Sequence, residues 1–422
     1  MPALPHDRLI MFTRFPAPGE VKTRLIPFLG AEKSARLHRE MTEFTLRQAL
    51  QTDARVEVRF TGANLEQMQA WLGEDIAYCD QGPGDLGERM ARAVQEHFAT
   101  GARRVTIIGS DCPDNRAANL RLCFTLLHNH ACVLGPAHDG GYYLIGLNAD
   151  RPVLFCGVDW GSERVLRQTL AAAPPATALL PKLHDVDRAE DVPPGISVII
   201  PALNEENNIA AAVHSVQQGF CAECIVVDGG SADATRLAAA EAGARVLECP
   251  PDRAGRARQM NEGARHTQGE ILLFLHADSC LPEGWDSAVR AAVKTPGVAL
   301  GAFTFYVPEN IAGIKIVAWG VDIRSRFFHM PYGDQGLFLR RALFETLGGF
   351  PDTPILEDVA LVKQAKQHGN IVIIKEKLPT SGRRWQQRGL MHTLLLNQVI
   401  LLASAFGVSP EKLRDLYRKG FL

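Results

Sequence analysis

Two short apolar segments decide the fold of this chain: LIMFT at Leu9–Thr13 and ISVIIP at Ile196–Pro201. Each is followed by a polar loop and then by a helical pattern. Further along each half, a second apolar run ends in an aspartate, in VTIIGSD at Asp111 and in ILLFLHAD at Asp278. Continuous apolar strands that alternate with helices indicate mostly parallel sheets covered on both faces. The sequence therefore predicts two tandem α/β domains of similar plan.

The boundary between the two domains is predicted in DRAEDVPPG, at Asp187–Gly195, where charges precede two prolines and a glycine. These residues interrupt both helix and strand just before a new buried strand. We expect domains at 1–190 and 196–422, which suits a chain of 422 residues at ~100–200 residues per domain. The apolar spacing after each opening strand predicts helices over Ala31–Gln51 and Asn204–Gln218.

The charge balance argues against nucleic-acid binding. The chain has 45 basic and 47 acidic side chains and a formal net charge of −2, so it lacks the cationic field on which such binding depends. Nine cysteines, an odd number spread along the chain, do not form a disulfide framework. No secretory signal is visible at the N-terminus. These features predict a reduced cytoplasmic protein.

The most apolar stretch, Leu394–Val408, is interrupted by Asn397, Gln398 and Ser404. A membrane-spanning helix needs ~20 apolar residues, so we expect no integral membrane segment. The stretch is interpreted as a core helix. The alternative is a helix that rests on a membrane surface, which would make the protein a peripheral membrane enzyme.

In the second half, polar residues follow the predicted strands, at the edge where parallel α/β sheets bind ligands. Asp228 could accept hydrogen bonds from a base or ribose, and Asp278 could hold Mg²⁺ or Mn²⁺ against a diphosphate. Arg253 and Arg256 are interpreted either as a diphosphate clamp or as part of a solvated loop. Asp358 could deprotonate an acceptor hydroxyl. The other candidate residues are Pro201, Asn204, Glu205, Gly230, Asp334, Gln335, Glu357, Arg383, Arg384 and Trp385.

Some of these residues have a simpler interpretation. Asn204 could cap the following helix, with Glu205 and Glu206 in its first turn. Glu357 and Asp358 are adjacent, so they do not share a helix face. One of the two can point into the site while the other supports it.

Five motifs in order make the second half resemble family 2 glycosyltransferases of the GT-A fold. They are ALNEE, VVDGGSADAT, the HAD in the place of the metal-binding D-x-D, the Glu357–Asp358 pair and RRW. The resemblance implies a nucleotide-diphosphate-sugar donor, a divalent metal, and inversion with Asp358 as the general base. Three residues depart from the family pattern: Gly229, His276 and Ser381. The serine argues for addition of a single sugar rather than polymer synthesis.

In the first half, the loop FTRFPAPGEVKTRL follows the first strand and carries Arg14, Lys22, Thr23 and Arg24. Three cations on a constrained loop suit a diphosphate or triphosphate. Asp111 and Asp139, on neighbouring strand ends, could share a metal between phosphates, although Asp139 could instead only shape a turn. Gly84 and Asp85 stand where a helix entry could contact a ligand, and an ordinary helix N-terminus would have the same sequence.

The first half resembles sugar-nucleotidyltransferase-like GT-A proteins, among them the molybdenum-cofactor and phospholactate guanylyltransferases. It is more similar still to a transferase family that shares PAPGEVKTRL, GDLGERM, GSDCP and DGGYYLIGL. Members of this family and of the second are often associated with arsenosugar biosynthesis, and members of the second sometimes with carotenoid-acid glycosylation. We therefore expect two tandem Rossmann-like GT-A domains.

The expected function is that of a bifunctional enzyme. The second domain would transfer a sugar to a small or lipid-like acceptor, and the first would act on a nucleotide or activated sugar at a metal–phosphate site. In the alternative, only one domain is catalytic and the other is a nucleotide-binding scaffold.

Overall fold

The structure is a computed structural model that describes residues 6–220, 222–249, 255–383, 386 and 389–419. The chain divides into two compact units, Met1–Val192 and Pro193–Leu422, called unit 1 and unit 2 below. No helix in the described ranges combines the length and apolar character needed to cross a bilayer.

Unit 1 alternates strands and helices along its described length. Its strands are β1 Asp7–Arg14, β2 Arg55–Thr61, β3 Ala77–Asp80, β4 Arg104–Gly109, β5 Cys132–Pro136, β6 Tyr142–Leu147 and β7 Thr177–Leu179. Its α-helices are α1 Ile26–Leu29, α2 Ala31–Ala49, α3 Leu65–Leu72, α4 Leu86–Ala99, α5 Ala117–Leu126 and α6 Val165–Ala172. Short 3-10 helices cover Thr23–Leu25, Pro152–Phe155 and Ala189–Asp191.

The strands of unit 1 form a seven-stranded sheet in the order β3-β2-β1-β4-β6-β5-β7. β1 pairs in parallel with β2 and β4, while β6 runs antiparallel between β4 and β5. β1 and β4 are neighbours, and the connection after β1 runs to β2 on one side while the connection after β4 runs to β5 on the other side. The strand order therefore reverses between β1 and β4. Such a point opens a crevice at the carboxyl ends of the strands.

Unit 2 repeats this alternation. Its strands are β8 Ile196–Ala202, β9 Ala222–Asp228, β10 Arg245–Glu248, β11 Ile271–Phe274, β12 Val298–Tyr306, β13 Leu337–Arg340 and β14 Asn370–Pro379. Its α-helices are α7 Ile209–Gln217, α8 Thr235–Glu241, α9 Arg256–Arg265, α10 Trp285–Lys294, α11 Ile314–Phe327, α12 Arg341–Thr346, α13 Glu357–Ala365, α14 Leu390–Ala405 and α15 Pro410–Lys419. A 3-10 helix covers Gly333–Gln335.

The sheet of unit 2 has the order β10-β9-β8-β11-β13-β12-β14, which matches that of unit 1 strand for strand. β13 is the antiparallel strand and corresponds to β6. The prediction of two α/β units of similar plan with mostly parallel sheets is therefore confirmed. Each sheet is covered by apolar clusters on both faces, which explains why the opening strands are apolar without alternation.

Two predicted element boundaries are wrong. β4 ends at Gly109 and β11 at Phe274, so Asp111 and Asp278 lie in loops beyond the strands. The last residue of β11 paired with β8 is Phe274, and Ser279, one residue after Asp278, forms an isolated antiparallel bridge with Thr380.

The predicted helix over Asn204–Gln218 begins later, at Ile209. Residues before it donate their backbone N–H groups to side chains of the loop after β9 and of the first residue of α8 instead of entering a helix. The N–H of Asn204 donates to Ser231 Oγ at 2.9 Å, and that of Glu205 donates to Thr235 Oγ1 at 2.8 Å. The interpretation of Asn204 as the helix cap is therefore wrong, and Asn208 occupies that position.

The interpretation of Leu394–Val408 as a core helix holds for one face of α14. Leu396 and Ile400 are 1% and 2% exposed, whereas Leu402 is 58% exposed. The cysteines in the described part of the chain are free thiols, in line with the expected absence of a disulfide framework.

Candidate functional site

The carboxyl edge of the unit 2 sheet brings together loops from distant parts of the sequence. Strands β8, β9, β11 and β14 end at this edge, so the loops that follow them start there, and the antiparallel β13 begins at the same edge. Most of the described residues predicted for the sugar-transfer site lie on these loops or at the start of α13. Pro201 is the second-last residue of β8, paired with Val227.

The loop after β9 is organised by Asp228, which is 1% exposed. Its Oδ2 accepts the backbone N–H groups of Gly230 at 3.0 Å and Ser231 at 2.9 Å, and its Oδ1 accepts the Ser231 hydroxyl. A buried carboxylate with these donors shapes the loop. In the structure both of its oxygens bond to the protein, and its contact with a base or ribose stays a prediction.

The loop after β8 is held against the loop after β9. Asn204 has a left-handed backbone, with φ of 53°, and its Oδ1 accepts the N–H of Ala232 at 2.9 Å. Asp233 accepts the N–H groups of Glu206 and Thr235 and thereby fixes the turn before α8. The two loops thus form one hydrogen-bonded unit at the sheet edge.

Glu205 connects this pair of loops to the segment after β14. Its Oε1 accepts a hydrogen bond from Arg383 Nη2 at 2.8 Å, although the two residues are far apart in sequence. Two predicted ligand-binding residues therefore meet as an ion pair. Arg384 and Trp385 of the RRW motif lie outside the described residues, as does Arg253.

Asp278 lies where the loop after β11 meets the loop after β14. Its carbonyl oxygen accepts the N–H of Ser381 at 3.1 Å, and the hydroxyls of Ser279 and Thr380 are 3.0 Å apart. His276 lies two residues earlier and reaches toward Gly333, where its Nε2 would lie 3.1 Å from an added Cβ.

Asp358, in the first turn of α13, points to the same glycine. Its Oδ2 accepts the N–H of Gly333 at 2.6 Å and would lie 3.1 Å from a Cβ at that position. The imidazole of His276 and the carboxylate of Asp358 thus converge on Gly333. A side chain there would displace one of them, so the close approach favours glycine.

Glu357 occupies a different environment from its neighbour Asp358. Its side chain is 7% exposed, and its Oε1 lies 3.8 Å from Nη1 of Arg256. Burial raises the pKa of the Glu357 carboxyl, Arg256 opposes that rise and Asp358 adds to it. Glu357 therefore supports the start of α13, and Arg256 serves as its partner as well as a candidate diphosphate ligand.

The segment Gly333–Gly336 (GDQG) supports the surrounding structure through buried hydrogen bonds. Gln335 is 1% exposed, and its Oε1 accepts the hydroxyl of Ser325 at 2.8 Å while its Nε2 donates to the Phe303 carbonyl at 3.1 Å. Gln335 is therefore a buried support of this segment, and its ligand contact stays a prediction. Asp334 is half-buried, and its carbonyl accepts the Thr380 hydroxyl at 3.3 Å.

In unit 1, Lys22 is enclosed by carboxylates. Its Nζ lies 3.2 Å from Asp111 Oδ1 and 2.9 Å from Asp187 Oδ1, and its side chain is 6% exposed. Burial lowers the pKa of Lys22, but the two carboxylates outweigh burial and raise it. Burial would raise the pKa of Asp111, yet Lys22 and His38 hold it well below its usual range. In the structure the charge of Lys22 is balanced by these two carboxylates, and its role as a phosphate ligand stays a prediction.

The other residues of the predicted phosphate loop are exposed. Arg14 pairs with Glu20 at 3.2 Å, and Arg24 pairs with Asp187 at 3.1 Å. Thr23 is an exposed residue at the start of a 3-10 helix. Of the three cations, Arg24 also lines a large cavity.

Sequence reasoning found Asp139 but missed His138, His184 and Asp185, which line the same cavity as Arg24. Ala137 and Leu183 form a parallel bridge, which sets the dipeptides His138-Asp139 and His184-Asp185 side by side. The two imidazoles stack with centroids 3.7 Å apart. Burial raises the pKa of Asp185, and Asp139 adds to the rise. The repeated His-Asp dipeptide was the signal in the sequence that could have found this pair.

Two adjoining cavities of about 730 and 290 Å³ lie at this edge of unit 1, and both are lined by Asp139 and Asp185. Asp111 lines the smaller one, together with Trp160 and Tyr142. Asp139 also accepts the N–H of Gly141 at 2.8 Å, so it shapes a turn and faces the cavities. In the described ranges, no three His, Cys, Asp or Glu side chains come together as a metal site.

Gly84 and Asp85 form an ordinary helix start. Asp85 caps α4 by accepting the N–H of Glu88 at 2.9 Å, and Glu88 returns a bond to the N–H of Asp85. A Cβ at Gly84 would lie 2.2 Å from Glu88 Oε2, so the capping box requires glycine. The carboxylate of Asp85 is used by the cap, and the ligand contact of Gly84 and Asp85 stays a prediction.

Sequence comparisons identify one family in each unit. Residues 45–162 match the family described as uncharacterized protein conserved in bacteria (DUF2064). Residues 197–344 match glycosyl transferase family 2.

Individual relatives match shorter regions. The chain is 34% identical over 98 residues to a glucosyl-3-phosphoglycerate synthase of Mycolicibacterium smegmatis, covering 21% of this chain and 32% of the relative. It is 38% identical over 100 residues to a 4,4'-diaponeurosporenoate glycosyltransferase of Staphylococcus haemolyticus. This match covers 22% of this chain and 27% of the relative. The chain thus spans about a third of the length of the curated relatives it matches.

A crystal structure from Desulfovibrio desulfuricans, assigned as a nucleotide-diphospho-sugar transferase, is 34% identical. The match covers 44% of this chain and 83% of that one, with a TM-score of 0.42. The chain therefore joins a region that matches DUF2064, in unit 1, to a region that matches glycosyl transferase family 2, in unit 2, and the two units share one strand order.

Proposed function

We propose that unit 2 transfers one sugar from a nucleotide-diphosphate-sugar to the hydroxyl or carboxyl group of a small or lipid-like acceptor, with inversion. The observation that carries this proposal is the convergence of Asp358 and His276 on Gly333, in a domain of glycosyl transferase family 2. The names of the two curated relatives, which refer to a phosphoglycerate and to diaponeurosporenoate, span the same range of acceptors.

Asp358 is proposed as the general base. The N–H of Gly333 holds its Oδ2 at 2.6 Å, so the carboxylate has a defined orientation. The acceptor O–H gives its proton to Asp358, the acceptor oxygen bonds to the anomeric carbon, and the bond from that carbon to the diphosphate oxygen breaks. A single displacement of this kind inverts the anomeric centre. A positioned base contributes typically 10²–10⁴-fold to the rate.

Glu357 is proposed to position Asp358 rather than to share its role. It is buried beside Arg256, and its pKa is raised chiefly by burial. A residue enclosed in this way cannot reach an acceptor without leaving its partner. Its contribution is to hold the first turn of α13.

The residues at the end of β11 fit a divalent metal. Mg²⁺ is usually held by one or two carboxylates together with substrate phosphates and water, so a full cage of protein ligands is not required. Asp278 would supply a carboxylate and His276, half-buried beside Gly333, an imidazole. A bound Mg²⁺ or Mn²⁺ would neutralise the charge that develops on the leaving diphosphate.

The test is release of nucleoside diphosphate from a panel of donor sugars with Mn²⁺ and candidate acceptors. We expect Asp358→Asn to lower turnover about 10²–10⁴-fold and Asp278→Ala to abolish it. Asp352→Asn is the matched control, since Asp352 is an exposed carboxylate near α13 that pairs with Arg258. Full turnover in Asp358→Asn would refute the assignment of the base.

A second activity is proposed for unit 1, because two His-Asp dipeptides line its cavities. Asp139 and Asp185 would hold a divalent metal that binds the phosphates of a nucleotide or activated sugar, with Arg24 as an additional phosphate ligand. Calorimetry with Mn²⁺ and nucleotides tests this, and Asp139→Asn should remove binding. Binding of nucleotide without any turnover would favour the alternative, in which unit 1 is a scaffold.

A further inference from the structure

Helix α11 of unit 2 carries large apolar side chains that face solvent. Ile316 is 71% exposed, Trp319 66% and Phe327 80%, and the next residue, Phe328, is 65% exposed. Ile316 and Phe327 are eleven residues apart, which places them on one side of a helix with 3.6 residues per turn. Isolated exposed apolar residues are ordinary, but a contiguous set on one face marks an interaction surface.

Helix α14 repeats this arrangement with the same spacing. Leu395 is 55% exposed, Leu402 58% and Phe406, just past the helix end, 85%. Leu396 and Ile400, on the opposite side, are buried. The helix therefore has two apolar sides, of which only one is covered by the protein.

The two helices are neighbours. Ile314 and Val317 of α11 pack in one cluster with Leu390 and Leu394 of α14. The exposed apolar residues of these two packed helices are together called the apolar face below. It consists of Ile316, Trp319, Phe327, Phe328, Leu395, Leu402 and Phe406.

Basic side chains outnumber acidic ones near the apolar face, although the whole chain has a net charge of −2. Residues 311–331 contain three basic side chains and one acidic one, and Arg326 pairs with Asp322 at 2.6 Å. Residues 390–408 contain no charged side chain of the Lys, Arg, Asp or Glu type, and the next helix, α15, contains four basic and two acidic ones. Lys315, next to Ile316, is exposed. Lys366 donates to the carbonyl of Phe328 at 2.9 Å, which adds a cation beside the face.

We infer that the apolar face docks unit 2 on an anionic phospholipid surface. Aromatic and aliphatic side chains flanked by Lys and Arg are what an interfacial helix needs, because the apolar groups enter the acyl boundary while the cations meet lipid phosphates. A second copy of this chain fits less well. A two-fold contact would bring the same positive surface against itself.

Docking in this way bears on the sugar-transfer site, and this step rests on the proposed function of unit 2. The buried side of α14 packs with Ile355 and Leu356, which directly precede Glu357 and Asp358. The helix that meets the lipid thus also supports the proposed base. An acceptor with a lipid-like tail would reach that base from the membrane surface.

The experiment is co-sedimentation of the full chain with vesicles of phosphatidylcholine alone or mixed with phosphatidylglycerol. We expect binding to the anionic vesicles that weakens with salt. The double variant Trp319→Ser/Phe327→Ser should lower the vesicle affinity by about tenfold or more, and Lys315→Glu should lower it for anionic vesicles only. Phe28→Ser is the matched control, because Phe28 is also 66% exposed but lies in unit 1.

Three results would overturn the inference. They are a wild-type protein that stays in the supernatant with anionic vesicles, an equal loss in Phe28→Ser, and a dimer that Trp319→Ser/Phe327→Ser converts to monomer without vesicle binding. The last would make the face a contact between copies. The assay needs no sugar donor, and Asp358→Asn should bind vesicles like the wild type, so a failure of docking and a failure of the proposed reaction are distinguishable.

Discussion

The two units share one strand order, yet the loops that follow their first strands carry opposite charges. The loop after β1 contains Lys22 and Arg24, and Lys22 is enclosed by carboxylates. The loop after β8 contains Glu205 and Glu206, and Glu205 pairs with Arg383 from the segment after β14. In both units a charge on this loop is balanced by a residue that lies more than 150 positions later in the sequence.

This difference shows that the topology sets where a site can form, while the loops set its chemistry. In unit 1 Lys22 is paired with Asp111 and Asp187, and Asp139 and Asp185 line both cavities. In unit 2 Glu205 is paired with Arg383, and the carboxylates proposed to act in the reaction are Asp278 and Asp358. Substitutions that remove one partner of each charge balance test how far the comparison holds.

The largest effect on stability is expected for Lys22→Met in unit 1. The variant leaves Asp111 and Asp187 without their shared cation. We expect a loss of about 2–3 kcal/mol, below the ~3–5 kcal/mol of a wholly buried pair, because these carboxylates are 48% and 32% exposed. Urea unfolding measures the loss, with Lys315→Met as the exposed control. Adding Asp111→Asn should recover part of it; no recovery would mean that the lysine acts through packing alone.

The pH dependence of the same pair follows from its pKa shifts. The lowered pKa of Asp111 means that its contribution to stability persists at neutral pH and is lost only as the pH falls through that lowered value. The raised pKa of Lys22 means that its contribution is lost as the pH rises through the raised value. Lys22→Met should therefore flatten both limbs of the stability curve of unit 1.

A smaller effect of opposite sign is expected for Glu357→Gln in unit 2. The raised pKa of Glu357 means that its ionised form costs stability once the pH rises from its usual value of 4.5 through the raised one. The variant lacks this cost and should be as stable as the wild type at pH 7 or more so, by under about 1 kcal/mol because Arg256 already offsets part of the burial. Unfolding at pH 4 and 7 checks this; a loss at pH 7 would contradict it.

The smallest effect is expected for Arg383→Ala. The Arg383 and Glu205 side chains are 47% and 18% exposed, and pairs near solvent contribute typically 0.2–1 kcal/mol. A double-mutant cycle with Glu205→Gln measures the coupling energy. If this coupling energy were as large as the loss of stability expected for Lys22→Met, the charge pairs on the two loops would be equally strong. The predicted order of the two effects would then be wrong.

The sequence predicted the strands well where burial alone determines them. β8 and the second half of β9 are buried, and β9 ends at Asp228. Helix α7 was predicted five residues too early, because the carboxylates of Glu205 and Glu206 are typical of a first helical turn. The hydroxyls of Ser231 and Thr235 take the N–H groups that such a turn would leave open.

The sequence by itself determined the class of fold, its duplication and the kinds of side chain at the sheet edges, because apolar runs and turn residues act over a few positions. Only the tertiary structure decided which of those side chains already form hydrogen bonds or ion pairs with other parts of the protein. Asp228, Lys22 and Gln335 have the chemistry of ligand-binding residues, but each has a protein partner brought to it by folding. A partner of this kind lies on another loop, and the spacing of residues along one segment carries no information about it.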